Sequence, residues 1–221
     1  MNDLVPNWFL GDHTSATKDL YLLEYFCKHL RELREMRPDV LQIFRKEFRR
    51  ARVEAQFVGM RFEAYVAASF VRKHIRFVKS ESPDFLLDDF PCSIECTTAR
   101  VEQGSGQDLT YKVTSAIRRK AESASHRNDC LLFIDITNLL HTSLEATSTA
   151  LREETRLAIE DTIFVGAVLF AHMFNQDNGQ LQTIYFREDN RAPSAAQMAF
   201  LDLHYPISEN RSYEFSFPRG G

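Results

Sequence analysis

The chain has 221 residues, 44% of them apolar and 12% aromatic, and carries a formal net charge of −4. That much apolar side chain, including 18 Phe, excludes a disordered polypeptide and suits one large domain, or one domain with a helical extension. No apolar run reaches the ~18 residues that cross a bilayer. The N-terminal MNDLVPNWFLGDH lacks the basic-then-apolar order of a secretory signal. No membrane partner and a cytoplasmic location are therefore expected. Cys27, Cys92, Cys96 and Cys130 each sit in apolar sequence without CxxC spacing, which predicts four reduced core thiols.

Charge is unevenly spread. Between Arg31 and Arg76 there are twelve Lys/Arg against six Asp/Glu; from Asp129 onward there are six against thirteen. The N-terminal helices are basic enough to contact phosphates, or simply to present an ordinary solvated surface.

Taken in order, residues 1–15 read as irregular. Thr14 or Ser15 caps a helix over 16–36 whose apolar residues Leu20, Leu23, Phe26, Cys27, Leu30 and Leu33 recur at helical spacing. Pro38 starts a second helix, to about Ala55, with Leu41, Phe44 and Phe48 inward and Arg45, Lys46, Arg49, Arg50 and Arg52 over its other surface. A third helix, 58–74, carries the stripe Phe62, Tyr65, Val66, Ser69 and Phe70, with Glu63 beside it.

The period then changes to two. Residues 75–79 and 84–87 are predicted as short strands around the turn Glu81-Ser82-Pro83. Residues 92–98 form a third strand, with Ser93, Glu95 and Thr97 on one face. Residues 101–108, with two glycines, read as a mobile loop, and 109–126 as a helix with Val113, Ala116 and Ile117 inward. CLLFIDIT at 130–137 has the continuous apolar character of a central strand covered on both sides. A helix at 144–160, a buried strand at 163–174 and edge strands at 181–187 and 211–217 complete an α/β fold: a mixed sheet flanked by helices. The expected organisation is a helical extension over 1–56 and an α/β core over 57–221.

Asp84 opens one strand and Glu95 stands in the middle of the next. A tight connection between them implies antiparallel pairing, which lets the two carboxylates converge. With the main-chain carbonyl of Cys96 they make a hard-oxygen site suited to Mg²⁺ or Mn²⁺. Such an ion polarises a phosphodiester and lowers the pKa of a bound water. Glu95 has no basic neighbour along its own strand, and a carboxylate in so apolar a strand needs a metal or a cation as partner.

Glu63 in RFEAYV, Pro83-Asp84 in ESPDF and Glu95 in SIECTT, followed by a helix and an apolar strand, resemble the PD-(D/E)XK restriction-endonuclease-like superfamily over residues 58–138. The resemblance implies a metal-dependent phosphodiesterase core in which Asp84 and Glu95 bind the ion and Glu63 assists. The family's lysine is expected two residues after the acid, where this chain has Thr97. Threonine cannot supply an ammonium to the transition state. Some members carry the basic residue on the following helix, where Lys120 is the best substitute and Lys112 the second. The expected function is a Mg²⁺-dependent endonuclease acting on nucleic acid, with DNA the favoured substrate. The alternatives are a catalytically weakened nucleic-acid-binding module and a protein-interaction domain that uses its helical N-terminus for a homodimer or another partner. The seven histidines show neither HExxH nor zinc spacing, and there is no phosphate-cradling glycine loop.

Overall fold

A change of hydrophobic period near residue 75 marks where helices give way to sheet. The computed structural model describes residues 13–100, 109–123, 130–142, 148–175, 180–190 and 193–207. The loop expected at 101–108 and the strand expected at 211–217 lie outside the described residues. The chain packs as two units, whose boundaries fall at Arg72/Lys73, Ala171/His172 and Ile184/Tyr185. All of the third helix falls in the first of these units.

The first unit holds α1 (His13–Met36), α2 (Pro38–Arg50) and α3 (Glu54–Arg72). Pro38 occupies the first turn of α2, where its missing N–H costs nothing. Val40, Leu41 and Phe44 on α2, Leu33 on α1 and Phe62 on α3 are buried. The Phe26 ring meets those of Phe48 and Phe57 edge-on. α2 ends five residues earlier than expected and α3 begins four earlier. Ala51 adopts an extended conformation, and the Val53 carbonyl accepts the Gln56 N–H to start a new helix. Cys27 is exposed, not a core thiol as expected, because it lies off the packed stripe of α1; the other three cysteines are buried, and all four are free.

The sheet has the order β1-β2-β3-β4-β5-β6, with β1 (Phe77–Lys79), β2 (Phe85–Leu87), β3 (Ser93–Thr98), β4 (Cys130–Asp135), β5 (Gly166–Asn175) and β6 (Gln180–Asp189); β1 to β4, β5 up to Ala171 and β6 from Tyr185 belong to the second unit, and 172–184 to the first. β1, β2 and β3 pair antiparallel; β3 with β4 and β4 with β5 pair parallel. The parallel pairs need crossovers. These are α4 (Leu109–Ser123) between β3 and β4, and α5 (Thr137–Thr142) with α6 (Ser148–Glu160) between β4 and β5. Every residue of β4 is buried, as its unbroken apolar run predicts. The fold is thus α/β, a six-stranded mixed sheet flanked by helices. No helix among the described residues is long and apolar enough to cross a membrane.

Two helices were not anticipated from the sequence. α5 is a short turn after β4. α7 (Ala195–His204) starts at a capping box: the Ser194 side chain accepts the Gln197 N–H, and the Gln197 side chain accepts the Ser194 N–H.

Candidate active site

Three neighbouring elements of the second unit place the candidate groups. The β1–β2 turn is closed by the Ser80 N–H donating to the Asp84 carbonyl at 3.1 Å and by the Ser80 hydroxyl donating to the Pro83 carbonyl. This fixes Asp84 immediately before β2. Phe85 pairs with Ile94, so Asp84 and Glu95 stand opposite one another one position further along the two strands. Like charges placed across a sheet in this way repel unless a cation bridges them.

Lys120 is that cation. On α4, Val113, Ala116 and Ile117 are buried, and Lys120 lies three and four residues beyond the last two, so it continues the inward stripe. Its Nζ is 2.6 Å from Glu95 Oε2 and 3.2 Å from Asp84 Oδ2. Arg118 and Arg119, off the stripe, are exposed. Lys112 is half-buried and has no carboxylate partner among the described residues.

The carboxylates are held from other sides as well. The Cys96 N–H donates to Asp84 Oδ2 at 2.7 Å, and the Ser82 hydroxyl donates to Glu95 Oε1 at 3.1 Å. Both acids are buried, Asp84 to 6% and Glu95 to 3% exposure. Burial raises the Glu95 pKa above the usual glutamate range; Lys120 opposes that rise and Asp84 adds to it. For Lys120, burial works against the ammonium, but the two acids outweigh it and lift its pKa above the usual lysine range. The ammonium is therefore held charged.

A second cation was missed by sequence reasoning. Lys79 is buried at the end of β1, with Nζ 3.6 Å from Asp84 Oδ1 and donating to the Ser80 carbonyl at 3.0 Å. The signal was present: Ile75, Phe77 and Lys79 share one face at period two, and that face is the buried one. The site thus gathers two carboxylates and two ammonium groups.

The remaining candidates are placed as follows. Glu63 is half-buried on α3 and belongs to the first unit, whereas Asp84, Glu95 and Lys120 belong to the second. Thr97 is half-buried, two residues beyond Glu95 on β3. Asp135, at the end of β4 and not one of those candidates, accepts the Thr137 N–H at 2.9 Å and so helps begin α5.

Asp84, Glu95 and the Cys96 carbonyl are hard oxygen donors, and two carboxylates with a main-chain carbonyl suit Mg²⁺ or Mn²⁺ better than a softer ion. No cluster of three or more His, Cys, Asp or Glu suited to a metal occurs among the described residues. Comparison with protein-family models, with curated proteins and with solved structures finds no match.

Proposed function

We propose that the chain is a metal-dependent nuclease of divergent PD-(D/E)XK type, with a restriction-endonuclease-like sheet and DNA as its substrate. One observation carries the reading: Lys120 comes from the helix after β3 and bonds both Asp84 and Glu95. An ammonium thereby stands beside the paired acids although the strand position offers only Thr97. The antiparallel β1–β2–β3 meander, followed by a helical crossover to a parallel β4, supports the same reading.

Asp84, Glu95 and the Cys96 carbonyl would hold Mg²⁺ or Mn²⁺, which supplies Lewis acidity to a phosphoryl oxygen and a more acidic water. The chain's own groups do the rest. The Cys96 N–H and the Ser82 hydroxyl orient the two carboxylates, so neither needs to reorganise when substrate arrives. Lys120 keeps its proton on Nζ and offers a fixed positive charge where negative charge develops on phosphate. Lys79, deeper at the back of Asp84, holds that carboxylate in place.

The test is cleavage of plasmid, linear duplex, single-stranded DNA and RNA with Mg²⁺ or Mn²⁺, comparing wild type with Glu95→Ala. Metal-dependent cutting that disappears in Glu95→Ala is expected. Absence of cutting with every substrate and ion overturns the reading.

Lys79 favours a second reading, in which the domain binds nucleic acid without cutting it. Its ammonium joins Lys120 in neutralising the two acids, as in a purely structural ion cluster. Binding that persists with no cleavage under any metal would select this alternative.

A further inference from the structure

Helix α2 carries a charged face that the proposed cleavage chemistry does not use. Arg45, Lys46, Arg49 and Arg50 are all exposed, and Arg52 follows just beyond the helix end. Among the described residues no carboxylate pairs with any of these five side chains. Of the two acids of the helix, Asp39 is engaged by Arg37 and Glu47 is half-buried. Arg45 and Arg49, and Lys46 and Arg50, are four residues apart, which sets two parallel rows of cations about 6 Å from member to member. Surface cations on ordinary helices are usually interleaved with acids at this spacing, which lowers their self-repulsion. Here five cations stand close together without an ion pair among the described residues, and a polyanion would supply their counter-charge.

The rest of the helix narrows the partner. An interfacial helix lays its apolar face into lipid, but Val40, Leu41 and Phe44 are buried in the protein core. Single strands are gripped by aromatic side chains that stack on bases. On α2 the Phe44 ring is buried, and the Phe48 ring is engaged with those of Phe26, Phe44 and Phe57. Beyond the first turn, and apart from Gln42 and Ile43, what remains outward is charge on a rigid rod, which matches the regular phosphate rows of a duplex.

We propose that α2 is the docking surface for the phosphate backbone of duplex DNA, contacted through Arg45, Lys46, Arg49, Arg50 and Arg52 without reading sequence. The assignment rests on the nuclease reading for the choice of DNA, and it deepens that reading by naming where the substrate is held. The full-length Glu95→Gln protein in EDTA is titrated with a labelled 30-base-pair duplex over a salt series, with and without R45Q/K46Q/R49Q/R50Q. Parallel titrations use the single strand and anionic phosphatidylserine vesicles. Each lost phosphate contact removes about 0.9 from the slope of log affinity against log salt, so the fourfold variant is expected to flatten it by about 3.6. On the same basis the affinity falls by roughly 10-fold per cation at 0.1 M salt. The same change is expected with any duplex sequence. An unchanged slope with affinity within twofold overturns the proposal, as does tighter binding to the single strand or to the vesicles than to the duplex.

Failures of the two readings are distinguishable. Wild type that cuts duplex, while the fourfold variant still binds it normally, removes the α2 assignment and leaves the nuclease. Patch-dependent binding in a protein that never cuts removes the nuclease and leaves the docking surface.

Discussion

Replacing Lys120 with Met tests the centre of the site, because the substitution keeps the aliphatic stem and removes only the charge. In the wild type, Nζ lies 2.6 Å from Glu95 Oε2 and 3.2 Å from Asp84 Oδ2. Removing one partner of a fully buried pair costs about 3–5 kcal/mol. Two features reduce that figure. The Lys120 side chain is 21% exposed, so water partly screens it. Each acid also keeps another partner, the Cys96 N–H for Asp84 and the Ser82 hydroxyl for Glu95. The expected loss near neutral pH is about 2 kcal/mol. Urea unfolding at about pH 5 and about pH 8 measures it and adds a second check. The Glu95 pKa is already raised by burial in the folded state, and Lys120 is what holds it down. Without Lys120 it rises further. A carboxyl whose folded pKa exceeds its unfolded one favours the native state at low pH, and that contribution is lost as pH climbs through the folded value. The penalty should therefore be small at the acidic end and grow toward pH 8. Lys120 itself titrates above this window in both states, so the slope belongs to Glu95. A penalty below about 0.5 kcal/mol at both pH values would refute the bridging role.

His29 predicts acid sensitivity in the first unit. Burial, helped by the charge of Arg72, by His172 and by Lys28, holds its pKa at about 3. A histidine depressed this way must stay neutral when folded, so stability is intact above about 6.5 and declines as pH falls toward 3. At ~1.4 kcal/mol per pKa unit, the full effect approaches about 5 kcal/mol. His29→Phe, which preserves ring packing against Tyr25 and Tyr65, should flatten that acid limb in thermal melts; an unchanged limb would locate the acid sensitivity elsewhere. Ser194→Ala removes the α7 capping box and should cost about 1 kcal/mol by chemical denaturation, with Ser194→Asp recovering most of it.

How far the fold could be read from sequence depended on whether a signal was local. β4 was legible because burial on both faces leaves an unbroken apolar run, and β3 because Glu95 and Thr97 alternate with apolar residues. Lys120 was singled out only through the resemblance, as a basic residue carried on the helix after the acidic strand; the α4 stripe of Val113, Ala116 and Ile117 explains why it turns inward, where it meets both acids. Lys79 carried a weaker signal, because a lysine at a strand end ordinarily reads as solvated, although the alternation of Ile75, Phe77 and Lys79 put it on the buried face. α7 was missed despite its Ser-x-x-Gln start, because Pro193 and the surrounding polar residues resemble a loop. Returning 172–184 to the helical unit is a long-range packing outcome, and the halves of β5 and β6 carry no local mark of it.

Lys120 also changes what the burial of Glu95 implies. A carboxylate at 3% exposure demands a partner, and from sequence alone that partner was either a metal or a cation. The structure supplies the cation. Two carboxylates facing two ammonium groups are balanced before any ion binds, so the fold does not depend on one. The case for Mg²⁺ or Mn²⁺ therefore rests on the hard-oxygen donor set and on the proposed chemistry, not on a need to neutralise buried charge. This separates two kinds of metal site by experiment. A structural ion stabilises the folded state by mass action, so chelation would lower the melting temperature by several degrees. A catalytic ion in a pre-balanced site leaves it nearly unchanged. EDTA should therefore shift the wild-type melting temperature by less than about 1 °C, against the 2–4 °C per kcal/mol expected for a chain of this size, while abolishing cleavage. A large drop in EDTA would mean that Lys120 and Lys79 do not balance the site, and that the ion is part of the fold.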